Sequence, residues 1–167
     1  VLNIAAILRY EKELSIEWNI IGAIPRPSEI KLFEKKAKVR FNDLHVVFKG
    51  KMDVDELIEE FQRAHLFIHP SHIDNSPNSV CEAMLLGMPV LCGDVGGCSS
   101  LINDGINGYL LPDNEPYTWS TMISELLRDQ EISVKVGKTA RLDAWERHNP
   151  DSIIDSILNA YKCLSEN

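Results

Sequence analysis

The sequence PSHIDNSPNSVCEAMLLGMPVLCGDVGG at residues 70–97 decides the predicted fold. A short apolar run ends at its first residue, and a polar turn follows. A helical pattern then runs from Ser79 to Gly87, with apolar residues at spacings of three, four and seven. A second apolar run, Pro89 to Gly93, is too short for a helix. Strand, helix and strand in this order predict two parallel strands joined by a crossover helix.

The same alternation continues on both sides of this stretch. Apolar runs rich in Val, Ile, Leu and Phe predict strands that are buried on both faces. We therefore expect a Rossmann-like, three-layer α/β domain, with a parallel sheet and helices on both faces. The predicted strands are Trp18 to Ala23, His45 to Gly50, Leu66 to Pro70, Pro89 to Gly93 and Tyr109 to Leu111, and the helices between them are Glu29 to Val39, Val54 to Ala64 and Ser79 to Gly87.

Helical patterns replace this alternation after Pro112. Two amphipathic faces are predicted to cover the sheet. With no internal repeat and no clear linker, residues 1–167 are interpreted as one domain, and we expect a further segment before the helical pattern at the start. The two faces consist of Trp119, Met122, Ile123, Leu126 and Leu127, and of Ile153, Ile154, Ile157, Leu158 and Tyr161.

Charge argues against some classes of function. The formal net charge is -8, with 25 acidic residues against 17 Lys and Arg. Phosphate backbones are bound mainly by Lys and Arg, so we expect no nucleic-acid partner. No apolar run approaches the roughly 20 residues that a membrane-spanning helix needs.

The metal-binding residue types are scattered. The four cysteines have no paired two-residue spacing, which argues for reduced thiols and against a zinc site. His65, His69 and His72 lie close together in the sequence, but no carboxylate partner is evident for them. We therefore predict no metal site.

In open parallel sheets, ligands bind beyond the carboxyl ends of the strands, which draws attention to the quoted stretch. A helix that starts near Ser79 directs free amides and the positive end of its dipole toward that edge. Glu82 follows Ser79 by three residues, the spacing of a capping box, and spacing alone favours the cap over a ligand contact. Asp74 likewise fits the opening of an Asx-type turn through residues 75–77.

Several motifs then occur in order. Asp74 and Glu82 are separated by seven residues and are followed by Ala-Met, a Gly and Pro-Val, by DVGG at 94–97 and by DGING at 104–108. In this order and at these distances they resemble the retaining family 4 glycosyltransferases, also called glycosyltransferase group 1. The resemblance covers essentially the whole chain, including segments 19–22, 48–50, 57–67 and 145–161.

The resemblance implies the C-terminal, donor-binding domain of a GT-B enzyme, without the acceptor-binding N-terminal domain and without the first strand. Asp74 would be the catalytic residue that faces the donor sugar and its developing positive charge. Glu82 would bind the ribose hydroxyls, and Ser76 would belong to the same donor site. The substrate would be a UDP- or GDP-sugar, and no cofactor or metal is implied.

The leaving diphosphate would lie at the helix N-terminus. By resemblance, amides around Asn78, Ser79 and Val80 would bind its distal phosphate, which agrees with helix electrostatics. The backbone at Gly50 and Lys51 would lie near the base. Other implied partners are the N-terminal domain of the longer protein and a glycan or lipid-linked acceptor. A cytoplasmic protein is implied, with peripheral contact at the inner membrane face as a further expectation.

Two features depart from the family pattern, and the role of a third feature is open. Asp74 is one methylene shorter than the commoner Glu, and Ser99 and Ser100 stand where the family often has Pro-Glu. Gly96-Gly97 either lets a backbone approach the sugar or makes a turn. Two other functions therefore stay open: a sugar-nucleotide epimerase or phosphorylase of the same architecture, and a non-catalytic nucleotide- or protein-binding module.

Overall fold

The computed structural model describes residues 1–22 and 24–165, and of Ser165 only the backbone. Within this part of the chain, strands and helices alternate up to Gly93; a 3₁₀ turn then leads to a last strand that ends at Leu111, and three helices follow. Short 3₁₀ turns form at Asn42–Leu44 and Cys98–Ser100. The strands are β1 Trp18–Ile21, β2 Val46–Gly50, β3 Phe67–His69, β4 Val90–Gly93 and β5 Tyr109–Leu111; the helices are α1 Leu2–Tyr10, α2 Pro27–Ala37, α3 Val54–Arg63, α4 Asn78–Leu85, α5 Pro116–Arg128, α6 Gln130–Arg147 and α7 Pro150–Ser165.

All strand pairs are parallel, as the sequence predicts, but the strands form two hydrogen-bonded groups. β1 pairs with β2, and β4 lies between β3 and β5. No ladder joins the two groups within the described residues. The five predicted strands therefore all form, whereas the single sheet is divided.

Helices cover both faces of the three-stranded group, which shows the predicted three layers. Successive side chains of a strand point to opposite faces. Val90 and Cys92 of β4 pack with one buried cluster that includes Ala83 and Met84 of α4. Leu91, between them, packs with a second cluster that includes Leu8 of α1. The chain is thus an α/β, Rossmann-like domain with α4 and α6 on one face and α1 and α5 on the other.

The second cluster connects the two groups of strands. It contains Trp18 of β1 and Val46 of β2 together with Leu91 and Leu111 of the other group. Helix α1 contributes Leu8 to this cluster and packs against α5. Apolar packing, and not a backbone ladder, therefore holds the two groups together.

The two amphipathic C-terminal faces have different outcomes. On α5, Trp119 and Ile123 are at most 2% exposed, so this helix covers the sheet as predicted. The prediction for α7 is wrong, because this helix packs against α6 and leaves its apolar face exposed. Its apolar residues Ile153, Ile154, Ile157, Leu158 and Tyr161 are all at least 42% exposed. None of the described helices is long and apolar enough to cross a membrane.

Candidate donor-binding site

The candidate site lies where β3 ends and α4 begins. β3 ends at His69, the loop of residues 70–77 crosses the carboxyl edge of the strands, and α4 starts at Asn78. We call residues 70–77 the donor loop. The neighbouring strand β4 ends at Gly93, so the glycine-rich segment 94–97 leaves the same edge.

Asp74 is held within the donor loop by both of its carboxylate oxygens. Oδ1 accepts a hydrogen bond from the Ser76 amide at 3.1 Å, which forms the Asx-type turn. Oδ2 lies 3.0 Å from Nε2 of His69 at the end of β3. The expectation that these histidines lack a carboxylate partner is therefore wrong for His69. It is also wrong for His72, whose Nδ1 lies 2.9 Å from Oδ2 of Asp113.

Gly96 and Gly97 pack directly against the backbone of the donor loop. The Gly97 amide donates a hydrogen bond to the Asp74 carbonyl at 3.0 Å. A Cβ atom on Gly96 would collide with the carbonyl of Asp74, and one on Gly97 would collide with the carbonyl of Asn75. Gly96 also has a φ of 52°, as in a turn. The close approach that needs these glycines is therefore made by protein backbone.

The first turn of α4 presents free amides toward the donor loop. Pro77 is the N-cap residue, and its carbonyl accepts hydrogen bonds from the amides of Val80 and Cys81. The amides of Asn78 and Ser79 donate to no acceptor in the described chain. Two of the three predicted phosphate donors are thus available, whereas the Val80 amide already has a partner inside the helix.

Glu82 is exposed on α4 and does not cap the helix. The capping-box interpretation is wrong, because the helix starts one residue earlier than predicted and Pro77 occupies the N-cap position. The Glu82 carboxylate makes no hydrogen bond or ion pair with any residue that the structure describes. Since Asn78 and Glu82 are four residues apart, they lie on the same face of α4. The side chain of Asn78 and the free carboxylate of Glu82 therefore share one face.

Gly50 and Lys51 lie at the end of β2, in the other group of strands. Gly50 is buried with a φ of 75°, and its carbonyl accepts a hydrogen bond of 2.7 Å from Gly22. Lys51 is exposed. No hydrogen bond or ion pair links either residue to residues 70–82 in the described structure. Their place at the carboxyl end of a parallel strand is the feature that they share with the donor loop.

Buried thiols lie beneath the site. Cys92 of β4 and Cys98 are buried and reduced, as the cysteine spacing predicts. Burial raises the pKa of the Cys92 thiol far above its ordinary value, and the nearby Cys98 raises it further. Cys92 therefore remains a neutral apolar contact. Among the described residues, no group of three or more His, Cys, Asp and Glu side chains could hold a metal ion.

Comparison with known sequences identifies the family of this chain. Residues 1–143 match the family described as glycosyl transferases group 1. The chain belongs to this family. Among curated members, it is 27% identical over 161 residues to D-inositol 3-phosphate glycosyltransferase of Nocardia farcinica, which covers 91% of the chain and 35% of that protein. It is 26% identical over 150 residues to O-antigen chain mannosyltransferase C of Escherichia coli, covering 88% of the chain and 39% of that enzyme.

Solved structures of the family share the fold. Anabaena HepE, solved in complex with UDP-glucose, superimposes with a TM-score of 0.76 at 20% identity. The match covers 97% of this chain and 44% of HepE. The chain thus spans roughly a third to two-fifths of the two curated family members and less than half of HepE.

Proposed function

We propose that this chain is the donor-binding domain of a retaining, family 4 glycosyltransferase, the C-terminal half of a GT-B enzyme. Its ligand is a nucleoside-diphosphate sugar, UDP- or GDP-linked, and the sugar is of the hexose type. The observation that carries the proposal is the pair of free amides, Asn78 and Ser79, at the N-terminus of α4 beyond the strand ends.

The free amides suit a phosphate group. Unpaired N–H groups and the positive end of the helix dipole both favour an anion at this position. The leaving diphosphate gains negative charge as the sugar bond breaks, so donors fixed in advance stabilise the transition state more than the ground state. In this proposal amides carry that charge, and no metal is required.

Glu82 and Asp74 occupy the two sides of this phosphate position in the proposal. Glu82, free and on the face of α4 that carries Asn78, accepts hydrogen bonds from the ribose hydroxyls. Asp74, in the donor loop, faces the sugar and its oxocarbenium-like charge. The acceptor, a glycan or lipid-linked molecule of a surface polysaccharide or glycolipid pathway, is bound by the N-terminal domain of the longer protein.

Calorimetry with the isolated chain tests donor binding. UDP, GDP and ADP, each alone and as its glucose or mannose conjugate, are titrated with and without EDTA. We expect one nucleotide series to bind, EDTA to leave the affinity unchanged, and no sugar to be transferred by this chain alone. Failure of every nucleotide to bind, in this chain and in the longer protein, would contradict the proposal.

The stereochemistry of transfer is tested in the longer protein. Proton NMR of the first product formed distinguishes the two anomers. We expect the product to keep the anomeric configuration of the donor, together with strict dependence on an added acceptor. An inverted product would remove the retaining assignment. Turnover of the donor without acceptor would instead favour epimerase or hydrolase chemistry.

A further inference from the structure

His69 lies at the centre of the candidate site but has no role in the proposal so far. It is the last residue of β3, so a parallel strand fixes its backbone. Its side chain is 19% exposed and that of Asp74 is 28% exposed, so the contact between them is largely shielded from water. Hydrogen bonds to a shielded carboxylate are stronger than those on an open surface.

The backbone of Asp74 is fixed independently of this contact. Its carbonyl accepts the Gly97 amide, and its Oδ1 accepts the Ser76 amide. These two bonds fix the position of the residue. The orientation of the carboxylate plane then depends on what binds the second oxygen, Oδ2. Oδ2 is held by Nε2 of His69 at 3.0 Å.

We infer that His69 is a positioning residue, which orients the Asp74 carboxylate toward the sugar of the donor. This inference rests on the proposed function. An ionised carboxylate oxygen can accept about two hydrogen bonds, so Oδ2 keeps a free lone pair for a sugar hydroxyl or a developing positive charge. Because Asp has a short side chain with few rotamers, one further contact from the strand end suffices to fix it.

The test compares a nucleotide with its sugar conjugate, because only the conjugate reaches Asp74 in the proposed site. Affinities for UDP and UDP-glucose, and for GDP and GDP-mannose, are measured by calorimetry for the parent chain and for His69→Leu, His69→Gln and His65→Leu. The amide of Gln can place a donor near the position of the imidazole Nε2. His65 is an exposed histidine before the amino end of β3, outside the candidate site, and serves as the matched control.

We expect His69→Leu to weaken binding of the sugar conjugate about tenfold or more, the scale of one hydrogen bond to a charged group, while nucleotide affinity changes little. His69→Gln should restore most of the loss, and His65→Leu should resemble the parent. If the ratio of sugar-conjugate affinity to nucleotide affinity is the same in His69→Leu as in the parent, the inference is overturned and the proposed function still stands. If neither the parent chain nor the longer protein binds any nucleotide, both are overturned.

NMR of the parent chain gives a readout that does not depend on a variant folding. The ring nitrogen resonances of His69 should shift when the sugar conjugate is added and should shift much less with the nucleotide alone. Identical shifts with both ligands, or none with either bound ligand, would also overturn the inference.

Discussion

Asp74 and Glu82 are the two acids of one candidate site, yet the protein holds them very differently. Asp74 is partly buried, and both of its oxygens have partners. Glu82 is exposed and has no bonded partner in the described chain. A carboxylate without protein partners contributes little to the stability of the fold, so its removal should mainly weaken ligand binding.

Glu82→Gln tests this distinction. We expect nucleotide affinity to fall about tenfold, the scale of one charge-assisted hydrogen bond, with the free energy of unfolding unchanged within about 0.5 kcal/mol. Calorimetry and urea denaturation measure the two quantities. The control is Glu131→Gln, an exposed acid in the first turn of α6, which should change neither. Unchanged affinity in Glu82→Gln would remove the ribose contact from the proposal.

Gly97→Ala tests the contact between the donor loop and the segment after β4. Gly97 has a φ of -87°, which alanine adopts readily, so the expected cost comes from the collision with the Asn75 carbonyl. We expect the free energy of unfolding to fall by about 1–3 kcal/mol, together with weaker donor binding.

Gly105→Ala is the comparison for backbone strain without a collision. Gly105 has a φ of 73° and open space around it, so the expected loss of stability is about 1 kcal/mol. Donor affinity should stay at the parent value in this variant. If Gly97→Ala kept parental stability, the backbone contact would be less tight than the structure indicates.

The sequence predicts which residues form the candidate site better than it predicts which residues they contact. The spacing of Ser79 and Glu82 indicates a capping box, but the N-cap residue is Pro77, two residues before Ser79, and this shift removes the cap. The contact between His69 and Asp74 depends on how the donor loop turns back over the strand end. Neither periodicity nor spacing specifies that path.

Helices α5 and α7 show that an apolar period in the sequence predicts a helix but not its burial. The period of apolar residues identifies α5 and α7 equally well, because both have one apolar face. Burial depends on whether another surface lies opposite that face. α5 packs against α1 and α6, whereas α7 packs against α6 and leaves its apolar face exposed. Apart from the end at Ala23, which lies outside the described residues, the predicted elements between Trp18 and Leu111 were confirmed within about two residues at their ends, because short apolar runs mark parallel strands. The expectation that every strand is buried on both faces is wrong for β1 and β2, where Ile21 and Val47 are exposed.

Matched Ile→Ala variants in α5 and α7 test this difference. Ile123 is 2% exposed and Ile157 is 50% exposed. We expect Ile123→Ala to lower the free energy of unfolding by about 2–4 kcal/mol through lost packing and a residual cavity. Ile157→Ala should stay within about 0.5 kcal/mol of the parent. Urea denaturation measures both, and a large loss in Ile157→Ala would show that α7 packs against the domain in solution.

At the scale of the whole molecule, the described structure has one core face that spans two groups of strands. β4 is paired on both sides, whereas β1 and β2 pair only with each other. Strands that are joined by a backbone hydrogen-bond ladder tend to open together. Two groups of strands that are joined by side-chain packing alone open less cooperatively. The two groups should therefore differ in how readily they open.

Amide hydrogen exchange measures this difference. We expect the amides of β4 to exchange only through global unfolding, and those of β1 and β2 through a sub-global opening of lower free energy. Trp18→Ala should lower the free energies of both opening events by similar amounts, and by more than Trp18→Phe does, because the Trp18 side chain belongs to the shared core face and both events expose it. Equal protection in all five strands would show that the domain opens as one unit.

The division of the strands has a consequence for recognition. Gly50, proposed to lie near the base, follows β2, whereas the proposed phosphate and sugar positions follow β3. A single donor molecule would therefore bridge two units of unequal local stability. Binding would then hold the less stable group of strands against the more stable one. Part of the intrinsic binding free energy would be used to order the group of strands near the base. Nucleotide discrimination in this protein would be sensitive to substitutions in the core faces of α1 and α5, which pack in the cluster that joins the two groups of strands.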